Sequence, residues 1–231
     1  MARDFDGTND RLAVVDALTN MTAAPMTIGY WFVRRTSGTA NMCFFILSET
    51  ATTGGRTLCD GVVTAGVFKP EFTQTFTTAN GLWIVTNALT VGQRYFISYV
   101  YDRGATTNDP TFYVDGVAVV SSETATPSGT ANSNTDSIVM GERAAGTFDL
   151  DGQLQHVYAT PELFSAAEVN TAMWWGRARG GLTAYWPFLT DKLANEGVQA
   201  ATLTATGTTV NSLVTPTVRP GSAMMGMGIG W

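Results

Sequence analysis

Oxygen-bearing side chains are the first groups here that could do chemistry. Asp4, Asp6, Asn9 and Asp10 crowd the start of the chain, and Asp149 and Asp151 alternate further on. Calcium takes about six to eight oxygen ligands, and neither group follows the spacing of a helix–loop–helix calcium loop. Asp and Asn beside Gly also build turns by bonding their own backbone. Turn formation is therefore the first reading of Asp4, Asp6, Asn9 and Asp10, and calcium is the one metal they could hold. No other cofactor is expected. His156 is the single histidine. That excludes a zinc site built on several histidines, and any Ser-His or Cys-His nucleophile would have to use it. Nothing in the spacing fixes a partner for it, so a structural or surface role is expected. Cys43 and Cys59 fit neither a redox pair nor a zinc knuckle and read as reduced core thiols. Indole rings could stack on sugars. Of Trp31, Trp83, Trp174, Trp175 and Trp186, the strand positions Trp31 and Trp186 read as core. Trp174 and Trp175 lie at a helix end, where one ring can be buried and the other sit at a rim.

These groups must be positioned by strands. Short apolar runs are separated by Gly, Asn, Asp, Ser and Thr throughout, the spacing of a sandwich or barrel. Strands are predicted at 11–16, 27–35, 42–48, 56–59, 62–69, 82–86, 93–101, 111–115, 117–121, 136–141, 153–159 and 183–188. Residues 104–109 and 121–135 read as polar loops. Along 95–101, Tyr95, Ile97, Tyr99 and Tyr101 share one face and Phe96, Ser98 and Val100 the other. Both faces are apolar, which marks a central strand. Asp115-Gly116 between two β-rich runs predicts a tight hairpin, because both residues accept positive φ. One helix is predicted from Ser165. Ser165 and Glu168 form a capping box, Phe164 and Val169 a hydrophobic staple, and Gly176 a stop.

The chain has 231 residues, 45% hydrophobic and 14% charged, with 13 basic and 19 acidic side chains and a net charge of −6. The basic residues are scattered, so the patch that nucleic acid requires is missing. No apolar run reaches the ~18 residues of a membrane span. The opening residues lack the apolar stretch of a secretion signal. Either a leader was removed or the secretory route is not used. One large domain is expected over 1–200, including a late strand at 182–188. Residues 201–231 form an extension that ends in a Gly- and Met-rich tail. There Met224, Met225, Met227, Ile229 and Trp231 are apolar, yet the intervening Gly residues oppose a compact element. They are expected to contact a neighbouring chain.

The order of these motifs resembles the laminin-G-like branch of the concanavalin A-like lectin/glucanase superfamily. Phe5-Asp6-Gly7-Thr8-Asn9-Asp10 is similar to its opening F-D-G-x-x-D, and Thr27-Ile28-Gly29-Tyr30-Trp31 to its T-I-x-x-W strand. Tyr99 to Asp102, followed by Phe112 to Gly116, resembles its Y-D…Y-V-D-G hairpin. Met140-Gly141 resembles the I-G after it, and Leu163 to Val169 the start of its helix. The match spans about residues 4–175. The resemblance implies an all-β, two-sheet jelly-roll sandwich with one short helix. Gln155 and His156 stand where the family often has paired acids, so no role of those acids transfers. Hydrolases of the superfamily carry E-x-D-x-x-E on one strand. Asp149 and Asp151 do not continue that pattern, which argues against an enzyme.

Binding and adhesion modules dominate the class that this resemblance implies. A bare, leaderless domain with an apolar tail is similar to bacteriophage virion proteins. The first expectation is therefore a non-enzymatic decoration or tail-associated protein of the virion. Its partners would be other copies of itself or a capsid or tail protein. The alternative is an extracellular carbohydrate-binding lectin-like module, with Trp174 and Trp175 on a glycan. A glycoside hydrolase comes third.

Overall fold

The structure is a computed structural model. It describes residues 2–8, 10–14, 21, 25–35, 42–47, 57–64, 67–132, 138–141, 149–175, 184–186, 188, 204–206 and 209–211. Two antiparallel sheets of eight strands face each other. The first runs β10 (Val117–Val119), β9 (Thr111–Val114), β8 (Arg94–Tyr101), β3 (Met26–Arg34), β13 (Asp151–Thr160), β1 (Ala2–Asp6), β16 (Thr209–Asn211). β14 (Ala184–Trp186) pairs with the second half of β13, on the edge whose first half is taken by β1. The second sheet runs β11 (Ser121–Ala125), β7 (Gly81–Val85), β6 (Val67–Gln74), β5 (Thr57–Thr64), β4 (Met42–Leu47), β12 (Ile138–Met140), β2 (Arg11–Val14), β15 (Thr204–Thr206). The single helix among the described residues, α1 (Ala166–Trp175), lies on the outer face of the first sheet. This is the jelly-roll sandwich that the motifs imply.

The core is aromatic. Alternation sends Tyr30 and Phe32 of β3, and Tyr95, Ile97, Tyr99 and Tyr101 of β8, inward to meet Phe44, Phe68, Phe72 and Trp83 of the second sheet. Ring centroids lie 5.2 Å apart for Tyr30–Phe44, 5.5 Å for Phe72–Tyr99 and 5.3 Å for Trp83–Tyr101. Full burial of one such side chain stabilises by roughly 1.5–3 kcal/mol. The hydroxyls of Tyr30 and Tyr99 pair with each other, their oxygens 2.8 Å apart. Phe96 and Val100, on the other face of β8, pack under the helix with Tyr113, Tyr158, Phe164 and Val169. Both faces of β8 are thus buried, as the sequence pattern predicts for a central strand.

Local signals place the helix. Glu168 accepts from Ser165 N at 2.8 Å, and Ser165 Oγ accepts from Glu168 N at 3.4 Å. Phe164 and Val169, the staple pair, are both buried. Asn170 donates to the Gly116 carbonyl at 3.1 Å, tying the helix to the β9–β10 hairpin. That turn is built as expected, with φ of 50° at Asp115 and 77° at Gly116.

Some strand expectations are corrected. Asp60-Gly61 does not separate two strands, because β5 runs through it and β6 pairs with its whole length. Gly61 is there for space: a Cβ would lie 2.0 Å from the Phe68 ring. β11 lies in the stretch read as a polar loop, and it is an exposed edge strand. β15 and β16 lie beyond residue 200 and pair with β2 and β1.

Candidate functional site

The outer face of the first sheet carries a polar and aromatic cluster beside the end of the helix. Three neighbouring strands build it. Trp31 of β3 is in register with Phe96 of β8 and with Gln155 of β13, while Val33 is in register with Arg94 and Gln153. Since Phe32 and Leu154 point into the core, Trp31, Val33, Gln153 and Gln155 fall on the outside. Arg94 lies over the Trp31 ring, 4.2 Å from its centroid, and donates to Gln155 Oε1 at 2.7 Å. A cation over an indole face is attracted by the ring quadrupole. Trp31 Nε1 donates to the Met173 carbonyl at 3.1 Å, which locks the end of α1 onto the sheet. The next residue, Trp174, is 62% exposed.

β13 changes phase at this cluster. Leu154 points into the core, and the next inward residue is three positions on, with Val157 and Ala159 inward. The extra residue is His156, at φ 49°, inside a register irregularity between Gln155 and Tyr158. A β-bulge of this kind re-aims side chains. His156 Nδ1 is 2.5 Å from the Tyr185 hydroxyl and its ring stacks on the Tyr185 ring. Burial first, then the nearby Arg94 charge, pull its pKa from 6.5 to about 4. Burial lowers the Arg94 pKa as well, with Asp115 acting in the opposite sense. A small cleft among Ala2, Trp31, Val33, Arg94, Gln153 and Gln155 has a cavity volume of about 10 Å³, the room of one water.

The acidic cluster at the chain start does not converge. Asp4 accepts from Arg35 Nη2 and from Gln153 at 3.2 Å. Asp6 caps the Thr8 amide at 2.8 Å. Asp10 is buried, accepts from Asp6 N at 2.5 Å, and is raised in pKa chiefly by desolvation. Arg35 also binds Asp151 at 3.0 Å. A guanidinium thus occupies the place where the Asp4 carboxylate would offer oxygens to an ion. No group of three His, Cys, Asp or Glu side chains among the described residues is arranged to hold a metal. Asn9 lies outside the described residues.

Of the other rings, Trp83 and Trp186 are fully buried, and Trp83 donates to Asp109 at 2.7 Å. The expectation that Trp31 is core is corrected: it is half-buried on the outer face. Cys59 is buried in the core. The side chains of Trp175 and Cys43, the stop at Gly176, and Met224, Met225, Met227, Ile229 and Trp231 lie outside the described residues. Arg94 and Gln153 carry no signal in the sequence that marks them as site residues, and Gln155 is marked only as standing where the family often has an acid. Strand register alone brings them together.

Fold and site together define a lectin-like jelly roll with an aromatic patch beside its helix. The chain belongs to the Concanavalin A-like lectin/glucanases superfamily, whose laminin G-like family profile matches residues 6–170. Solved structures are similar in fold. A protein described as carbohydrate binding, from Bacteroides ovatus, has a TM-score of 0.69 at 13% identity, covering 93% of this chain and 60% of that one. The native heptameric SAP-like pentraxin from Limulus polyphemus has a TM-score of 0.60 at 13% identity, covering 91% and 94%. Domains LG4-5 of the mouse laminin alpha1 chain have a TM-score of 0.53 at 10% identity, covering 71% and 43%. No curated protein sequence matches the chain.

Proposed function

We propose that this protein is a non-enzymatic carbohydrate-binding module that meets its glycan at the end of α1. The observation that carries the reading is Trp174. A large ring, 62% exposed, stands on a helix end that is pinned to the sheet through Met173 and Trp31. A flat apolar ring on an anchored helix end suits the face of a sugar ring. The carbohydrate-binding description of a fold neighbour supports the same reading. Asp151, one of the two alternating acids, is engaged by Arg35 rather than presented to a substrate. A glycan array followed by titration tests the proposal. Trp174→Ala should lose at least tenfold in affinity with an unchanged melting temperature. A wild-type protein that binds no glycan, or a variant that binds as well as wild type, would overturn it.

A second reading is a multi-copy structural role, as in a virion decoration protein. Val117 and Val120, 66% and 71% exposed, are its specific support. Val117 opens the edge strand β10 and Val120 is the residue by which the chain passes to the edge strand β11, where a neighbouring copy could cover them. A fold neighbour is heptameric. Light scattering on the wild type, the Val117→Ser/Val120→Ser pair and a chain lacking 220–231 distinguishes the readings. A monodisperse monomer at every concentration would remove this second one.

A further inference from the structure

We propose that Arg94, laid over Trp31 and held by Gln155, recognises the carboxylate of an acidic, uronate-type saccharide. The inference rests on the carbohydrate-binding reading and names the class of glycan.

A guanidinium has five N–H donors in a planar fork. Arg94 donates once, to the neutral amide oxygen of Gln155, and its remaining donors meet no acceptor among the described residues. One face is covered by the Trp31 ring. The contrast, just past the end of β3, is Arg35, which meets both Asp4 and Asp151. The protein therefore pairs Arg35 directly with two carboxylates, whereas the hydrogen-bond partner of Arg94 is an amide and Asp115 acts on it only through its charge. Desolvating a cation with no carboxylate in hydrogen-bond contact is costly, and burial outweighs the Asp115 attraction in lowering the Arg94 pKa. An incoming anion removes that cost.

Shape narrows the anion. The cleft at Arg94 holds about one water, so a sugar ring does not enter. One oxygen of a ring carboxylate can, with the ring left at the surface. The planar fork matches a carboxylate with two parallel hydrogen bonds. Gln155, whose Nε2 donor has no acceptor among the described residues, lines the same cleft. The facing charged or titratable groups are Asp115 and His156. His156 is neutral near pH 7 and neither competes for the anion nor adds to the charge. Trp31 connects this point to the exposed ring, because the residue it holds, Met173, precedes Trp174.

The test is calorimetric titration with tetramers of galacturonate, mannuronate and glucuronate, each also as its methyl ester. Wild type should bind at least one acid form tenfold or more tightly than its ester, and salt should weaken that binding. Gln155→Glu should abolish the preference by placing a carboxylate beside Arg94, and Arg94→Met by removing the cation. The quantity read is the ratio of acid to ester affinity within each variant. Arg94→Lys should recover part of the preference, since charge is kept and the fork lost. Circular dichroism and melting confirm that each variant is folded. If wild type binds neutral glycans or esters as well as acids, the inference is wrong and the carbohydrate reading stands. The inference also fails, alone, if folded Arg94→Met and Gln155→Glu retain the acid preference. If wild type binds no saccharide, both fall.

Discussion

Acid should destabilise this protein through its single histidine. His156 has a folded-state pKa of about 4 against an ordinary value of 6.5. The folded form therefore favours the neutral ring. His156 contributes its full stability above about pH 6.5 and loses it as pH falls toward about 4, because the unfolded chain binds the proton first. The loss relative to neutral pH comes to about 1.4 kcal/mol at about pH 5.5 and about 2.5 kcal/mol at about pH 4.5. Asp10 works in the opposite sense, since its raised pKa favours the folded state once it is protonated. A comparison with His156→Asn cancels that contribution. Asn tolerates the left-handed backbone that the bulge requires at φ 49°. Urea denaturation of both proteins at about pH 7.5, 5.5 and 4.5 gives the result. Wild type should fall relative to the variant by the stated amounts. Parallel pH profiles would refute the buried neutral imidazole, and with it the close Tyr185 contact as its setting.

Three further outcomes are expected. Gly29→Ala should destabilise by about 1–3 kcal/mol through overpacking, because its Cβ would lie 2.5 Å from the Tyr158 ring and hydroxyl; an unchanged melting temperature would count against that packing. Ser165→Ala should cost about 1 kcal/mol by removing the helix cap, read from the urea midpoint at constant slope. Chelator should leave the melting temperature unchanged, since Asp4 is committed to Arg35 and Gln153. A site filled at a hundredfold excess over Kd would contribute about 2.7 kcal/mol, so a reversible drop of several degrees would mean an ion is bound there.

Short-range chemistry controls what is legible in the chain. The Ser165–Glu168 box, the Asp115-Gly116 turn and the two-faced strand at Tyr95–Tyr101 each need only a few neighbouring residues. β11 is hidden because Ser121–Ala125 is polar and lies at an exposed edge, where no burial pattern forms. β5 reads as two strands because a strand glycine looks like a break, while the cause of Gly61, the Phe68 ring, sits on the next strand. The site is the least legible part. Trp31, Arg94 and Gln155 come from three strands, and their meeting depends on register across β8, β3 and β13. Trp174 is marked by its ring type, and its exposure is visible only in three dimensions.

The strand pairing also sets a schedule for biosynthesis. Arg3 of β1 waits for Leu154 and Val210, and Leu12 of β2 for Met140 and Ala205. At about 5–20 residues per second, a ribosome needs roughly 10–40 seconds between the first strand and its last partner. The meanders β5–β6–β7 and β8–β9–β10 have their partners much sooner and can form while translation continues. The seam closes last, joining strands from opposite ends of the chain. Until then the early strands carry unpaired backbone donors and acceptors, which favour association between nascent chains on neighbouring ribosomes. Polysome-bound intermediates stalled near residue 200 are where aggregation or chaperone capture of this protein should concentrate.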